Sequence, residues 1–129
     1  MKCLLDTHLL LWVASSPDRL SAAARERIGN PENDLVFSVA SVWEIVIKGA
    51  LGRDDFRVDA GRLRRGLVDN GYAELAVEGR HALAVASLPP LHRDPFDRIL
   101  IAQASVEGFS LLTADATMAG YGGPVSLVG

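Results

Sequence analysis

Apolar positions along this chain come in short bursts separated by longer stretches with helical spacing. Lys2 to Leu5 is a brief apolar run that ends at an acid, and Thr7 to Ala14 stays apolar long enough for a buried helix. Pro17-Asp18 marks a turn. Ser21 is placed to cap a helix over Ala22 to Ile28, which Gly29-Asn30-Pro31 stops. Leu35 to Val39 is short and rich in strand-forming residues, and from Val42 to Leu51 apolar residues recur at helical spacing until Gly52. Asp59 caps a further predicted helix to about Asn70, with Gly71 in the position that follows a helix end. Tyr72 to Val77 alternates like a strand, and His81 to Ser87 reads as a helix that ends before Pro89-Pro90. Asp94-Pro95, an N-cap acid followed by proline at the first helical position, opens a helix that runs to Gly108. Phe109 to Thr113 and Val125 to Val128 are short, apolar and bounded by glycine, as central strands of a helix-covered sheet would be.

Strands alternate with helices throughout. The predicted fold is therefore α/β, a three-layer sandwich with a central parallel sheet and right-handed crossovers. At 129 residues and 49% apolar content the chain can bury one sizeable core, and a single domain over residues 1–129 is expected. No apolar run approaches the roughly 18 residues of a membrane span. The start, Met1-Lys2-Cys3-Leu4-Leu5-Asp6, lacks a secretory pattern, so a cytoplasmic location away from any membrane is expected. The single Cys3, followed by Leu4-Leu5, excludes a disulfide framework and a thiolate zinc site and reads as a core residue.

A net charge of −3 weighs against binding nucleic acid by blanket electrostatics. Arg53, Arg57, Arg62, Arg64 and Arg65 crowd one segment. They supply either local phosphate contacts or a solvated helix face.

In an open parallel sheet, ligands bind beyond the carboxyl ends of the strands. Two such positions are acids, Asp6 after the first predicted strand and Asp115 after the fourth. Each alone also suits a cap or a turn. Glu44 lies within Ser41-Val42-Trp43-Glu44-Ile45, either forming a capping box with Ser41 or facing a site. Asp94 is explained by helix capping. Asp97, one turn in, either complements the positive helix end or points into a cleft. Acids gathered in one cleft repel one another unless a cation neutralises them, and an all-oxygen donor set suits Mg²⁺ or Mn²⁺. Such ions bind phosphate oxygens and activate water.

Four blocks now stand in order: Leu4-Leu5-Asp6-Thr7-His8, Ser41-Val42-Trp43-Glu44-Ile45, Asp94-Pro95-Phe96-Asp97-Arg98-Ile99-Leu100-Ile101-Ala102-Gln103-Ala104 and Leu111-Leu112-Thr113-Ala114-Asp115. Together they resemble the PIN-domain ribonucleases, in particular the VapC toxins of toxin-antitoxin systems, over almost the whole chain. The resemblance implies Asp6 and Asp97 as principal metal ligands, Glu44 and Asp115 completing the catalytic acidic pocket, and Asp94 as an acid of one branch whose main work is capping. It further implies single-stranded or loop RNA as substrate, Mg²⁺ or Mn²⁺ as cofactor, a homodimer, and an antitoxin partner that buries an apolar groove and pushes an arginine into the pocket. Thr7 and Thr113 are placed either to orient a metal-bound water or to satisfy backbone at strand ends. His8 stands where many of these domains have a small polar residue and reads as structural. Arg98 reads as a surface residue, or else contacts phosphate or pairs with Asp94 or Asp97. Trp12 and Trp43 are candidates for the groove or the dimer face, or for the core.

Three rivals remain open at this level. A phosphoacceptor module would need a lysine late in the chain, but the only lysines are Lys2 and Lys48. An inactive binding member of the fold would be expected to have lost acids that are all present. A metal-dependent DNA nuclease differs from a ribonuclease in contacts to the 2′-OH, which no residue reveals.

Overall fold

Period-two alternation in the strands sorts the core into two halves. A computed structural model describes residues 1–129. Its strands are β1 (Lys2–Leu5), β2 (Asp34–Ser38), β3 (Ala73–Leu75), β4 (Ser110–Thr113) and β5 (Val125–Leu127), and every pairing is parallel in the order β3-β2-β1-β4-β5. Leu4 stands opposite Val36 on one side and Leu111 on the other. Side chains of adjacent strand residues point to opposite faces. Cys3, Leu5, Phe37 and Leu112 accordingly pack into one buried cluster, while Leu4, Val36 and Leu111 pack into the other.

Helices cover both faces. On the first lie α1 (Thr7–Ser15), α2 (Ala22–Gly29) and α4 (Ala60–Asp69), which contribute Leu9, Leu10, Ala24, Leu63 and Leu67. On the second lie α6 (Pro95–Glu107) and the short α7 (Ala116–Ala119), which contribute Leu100, Ile101, Ala104 and Met118. The helix α3 (Val39–Ala50) serves both, Ile45 joining the first cluster and Ala40 the second. A short α5 (Gly79–Ala84) packs on α6. The expected three-layer α/β sandwich is thus the observed one, and Cys3 is fully buried. No helix is long and apolar enough to cross a membrane.

Three expectations need correction. The helix expected from Val42 begins at Val39 and is capped by Ser38, whose hydroxyl accepts from the Ala40 N–H, so Ser41 and Glu44 form no capping box and lie inside the helix, both buried. The helix expected from His81 begins at Gly79: the His81 N–H donates to the Glu78 backbone carbonyl at 3.0 Å while the His81 ring accepts from Glu78 N–H, and regular helix gives way to a 3-10 turn at Val85–Ser87. The last strand is an edge strand, not a central one. The expected ends of α4 and α6 hold, Gly71 and Gly108 taking the left-handed backbone (φ 87° and 73°) that glycine adopts without a Cβ clash.

Candidate active site

The strand order reverses at β1. From there the chain proceeds outward to β2 and β3, then returns to place β4 on the opposite side of β1. Crossovers leave in opposite directions from such a pair, and a crevice opens beyond the strand ends. Asp6 and Asp115 follow the two strands that flank it. The Asp6 N–H donates to Leu112 O at 3.0 Å, carrying the β1–β4 ladder to the floor of the crevice.

Asp6 is nearly inaccessible, and both its oxygens are held: Oδ1 accepts from the Leu9 N–H at 2.9 Å as the cap of α1, and Oδ2 accepts from Thr113 Oγ1 at 2.5 Å. Burial raises its pKa, and these two hydrogen bonds only partly oppose that. Glu44 is held as firmly. Thr7 Oγ1 donates to its Oε1 at 2.6 Å, with Ser41 Oγ 2.9 Å from the same hydroxyl, and Lys48 Nζ donates to its Oε2 at 2.6 Å. Thr7 and Thr113 therefore do orient something, but it is the carboxylates themselves.

Asp94 caps α6, its Oδ1 accepting from Phe96 N–H at 2.8 Å and Asp97 N–H at 3.3 Å. Its Oδ2 accepts from Lys48 Nζ at 2.9 Å. Burial acts to raise the Asp94 pKa, but the Lys48 ammonium outweighs it and holds the carboxyl below the usual range. Lys48 responds in kind: although desolvation favours its neutral form, its bonds to Glu44 and Asp94 raise its pKa and keep it charged.

Asp97 differs from the others in having no hydrogen bond to its carboxylate. Burial first, then the negative charges of Asp94, Glu44 and Asp6, push its pKa up to about 7, against a smaller lowering by His92. It belongs to two groups whose oxygen or nitrogen atoms lie within 4.8 Å of one another, Glu44–Asp94–Asp97 and His92–Asp97–Asp115. In the second, His92 Nε2 lies 2.7 Å from Asp97 Oδ2 and 3.7 Å from Asp115 Oδ2, yet it is buried without an aligned hydrogen-bond partner. Asp115 caps α7 through the Thr117 N–H at 2.8 Å and leaves its other oxygen toward the crevice mouth. All five expected acids, Asp6, Glu44, Asp94, Asp97 and Asp115, line a single recess of about 160 Å³.

The donor set is almost wholly carboxylate, with one buried nitrogen lacking a partner, and ionisation of its central acid is opposed first by burial and then by the charges of its neighbours. That combination fits a hard divalent cation, which would remove the repulsion and accept oxygen donors.

Two side chains that contact these acids, Lys48 and His92, are not among the expected site residues. Lys48 is one of two lysines in the chain, and its four-residue spacing from Glu44 on a helix puts both on one face. His92 stands two residues before the Asp94 cap, and only the path of the 89–94 segment brings it back onto Asp97.

Arg98 is half-buried and pairs with neither Asp94 nor Asp97. Its guanidinium donates to Pro89 O at 3.0 Å, Val85 O at 3.2 Å and the Tyr121 hydroxyl at 3.1 Å. His8 turns to the rim, 3.2 Å from Asp55 Oδ2 with its ring against Phe56. In the arginine-rich segment, Arg53, Arg57 and Arg64 pair with Asp55, Asp54 and Glu74. A separate acid and histidine group, Glu78, His81 and Glu107, is closed by its own bonds, since His81 Nδ1 accepts from Glu78 N–H and Nε2 faces Glu107 Oε2 at 2.7 Å.

The PIN domain family model matches residues 3–123, the span that carries every one of these acids. The chain belongs to the PIN-domain family. Among PIN-domain relatives, Ribonuclease VapC22 of Mycobacterium tuberculosis is 26% identical over 121 residues, covering 94% of this chain and 92% of that protein. Solved structures share the PIN fold at lower identity. VapBC2 from Rickettsia felis bound to a DNA fragment from its promoter superposes with a TM-score of 0.71 at 13% identity, covering 98% of this chain and 97% of the other. A toxin-antitoxin complex from Klebsiella pneumoniae gives 0.65 at 19% identity with 98% of each chain covered. VapBC-1 from nontypeable Haemophilus influenzae gives 0.62 at 19%, covering 94% and 92%.

Proposed function

We propose that this chain is the toxin of a VapC-type toxin-antitoxin pair, a divalent-metal-dependent endoribonuclease that hydrolyses RNA phosphodiester bonds. The observation that carries the reading is Asp97: a carboxyl shared by two acidic groups, free of hydrogen bonds, its pKa raised to about 7 by burial and then by its neighbours' charges. The relative named a ribonuclease along 94% of the chain supports the chemistry, and the toxin-antitoxin titles of the structural neighbours support a protein partner.

Asp97 and Asp115 would hold a Mg²⁺ or Mn²⁺ ion; Asp6, which the resemblance makes a principal ligand, has both oxygens bonded within the protein and with Glu44 would supply negative charge around the ion. When bound, such an ion supplies Lewis acidity toward phosphate and a nucleophilic water at neutral pH. The protein's own part is preorganisation. Asp6 and Glu44 each have both oxygens tied to donors, so their charges stay in place as substrate arrives. Asp97, untied, exchanges its proton near neutral pH, and His92 sits against it. Neither group needs to leave its place in the recess.

Partners follow from the same reading. A homodimer and an antitoxin both require apolar surface, and the exposed Trp43 (60%) and Val77 line a recess with Val39, Phe96 and Ile99. Trp43 is therefore a surface residue rather than a core one, its ring set edge-on to Phe96. We assign this face to a second copy of the chain, which sedimentation of wild type and Trp43→Arg would check.

The decisive test incubates antitoxin-free protein with a mixed RNA pool and matched single-stranded DNA, in Mg²⁺, Mn²⁺ or EDTA, beside Asp97→Asn. Cutting of RNA alone, lost in EDTA and in the variant, is expected. Cutting of DNA at a comparable rate would replace the reading by a general metal nuclease. Ion binding without cutting of either polymer would replace it by an inactive binding module.

A further inference from the structure

One of the two acidic groups around Asp97 already contains a cation. The Lys48 ammonium lies 2.6 Å from Glu44 Oε2 and 2.9 Å from Asp94 Oδ2, and those two acids with Asp97 form one of the groups close enough to share an ion. No basic side chain other than the buried His92 nitrogen approaches the opposite group, Asp97 with Asp115.

Lys48 is built into that position. One turn of α3 separates it from Glu44, the side chain is only 16% exposed, and its ammonium lies 5.1 Å from the Phe56 ring centre and 5.6 Å from that of Phe96. Its stem therefore has little freedom to swing into solvent. A lysine ammonium carries three N–H donors. Two are taken by Glu44 and Asp94, which leaves a third with no acceptor from the protein, on a side chain that lines the recess.

We propose that Lys48 is the resident second cation of this pocket: it occupies the Glu44–Asp94 corner in place of a second divalent ion and turns its remaining N–H to a non-bridging oxygen of the scissile phosphate. This deepens the ribonuclease reading and rests on it. The chemical consequence is a division of labour. The Asp97–Asp115 corner takes one exchangeable ion, and the charge that a two-ion nuclease would draw from its second ion comes from the chain itself. A fixed ammonium opposite developing phosphate charge acts as a preorganised electrostatic donor.

The test counts ions as well as turnovers. Metal-free full-length wild type, Lys48→Met and Lys48→Arg are titrated with Mn²⁺ by calorimetry, and cleavage of an RNA pool is followed at saturating Mn²⁺. About one Mn²⁺ per chain is expected in wild type and in Lys48→Arg, and about two in Lys48→Met, where the vacated carboxylates become available. At saturating ion kcat should fall roughly 10²-fold in Lys48→Met. Two ions in wild type would overturn the proposal, as would one ion in a folded Lys48→Met or cleavage by it at the wild-type rate. If Lys48→Met does not fold, the wild-type and Lys48→Arg counts decide: one ion in each supports the lysine's role, and two in either overturns it. If wild type cuts no RNA under any condition, the ribonuclease reading fails, and the ion counts still report separately on Lys48.

Discussion

Thr113 Oγ1 donates to Asp6 Oδ2 at 2.5 Å and at the same time accepts from the Asp115 N–H at 3.0 Å. One fully buried hydroxyl at the end of β4 thus fixes the acid that follows β1 and the backbone of the acid that follows β4. Thr113→Val keeps the shape and deletes both bonds. An ionised Asp6 would lose a donor in a buried site, a loss of about 1–3 kcal/mol in stability at neutral pH. Misplacement of both acids should weaken Mn²⁺ binding about 10- to 100-fold, the usual scale for losing a group that orients a ligand. Thr113→Ser, which retains the hydroxyl, should restore both. Urea unfolding and Mn²⁺ calorimetry check this, and equal Mn²⁺ affinity in wild type and Thr113→Val would show that the hydroxyl positions nothing.

Asp97 makes the metal-free protein weaker as it ionises. Its carboxyl titrates near 7 when folded and near 3.8 as an ordinary aspartate, so the folded state holds the proton more tightly. The stabilisation this gives is fully present below about pH 4 and is lost as pH rises toward and through 7, on the order of 2–4 kcal/mol. Asp97→Asn removes the titration. Its metal-free stability should therefore exceed that of wild type at pH 8, the gap narrowing toward pH 4, while RNA cleavage is lost. Urea midpoints from pH 4 to 8 in EDTA measure it, and an unchanged slope in the variant would assign the loss to other groups.

Much of this pocket is legible in the sequence, because several of its acids stand at places with a local signature. Asp6 and Asp115 follow apolar strands, and Asp94 precedes a proline at a helix start. What could not be read depends on contacts between distant segments. Ser41 three residues before Glu44 imitates a capping box, and only the strand running on to Ser38 moved the true cap upstream and turned both residues inward. Arg98 looked solvated because nothing local says that the 85–92 segment folds over it. Lys48 and His92 meet their acids through pairings 46 and 5 residues apart, the first of which no helical or strand period encodes.

Arg98 predicts a loss that a lysine cannot repair. Its planar fork bonds the carbonyls of Val85 and Pro89 and the Tyr121 hydroxyl, so Arg98→Ala strands acceptors in a part-buried segment at a cost of about 2–4 kcal/mol. The same segment carries His92 onto Asp97, and cleavage should fall along with stability. Arg98→Lys offers a single point donor and should recover less than half of the loss in either measure. Full recovery by lysine would mean that charge, and not the fork, holds the segment.

Metal removal should be reversible and should leave the fold intact, because the two core clusters on the sheet faces are built from apolar side chains that hold the sheet and helices together without an ion. A cation that binds only the folded state adds about 2.7 kcal/mol at a hundredfold excess over its Kd. For a chain of 129 residues that is a rise in Tm of the order of 5–10 °C with Mn²⁺ at pH 7.5, cancelled by EDTA. The rise should vanish in Asp97→Asn, whose carboxylate belongs to both acidic groups, and shrink in Asp115→Asn, whose carboxylate belongs to one. Differential scanning fluorimetry of the three proteins gives the comparison directly. A full Mn²⁺ shift in Asp97→Asn would remove Asp97 from the ion's contacts.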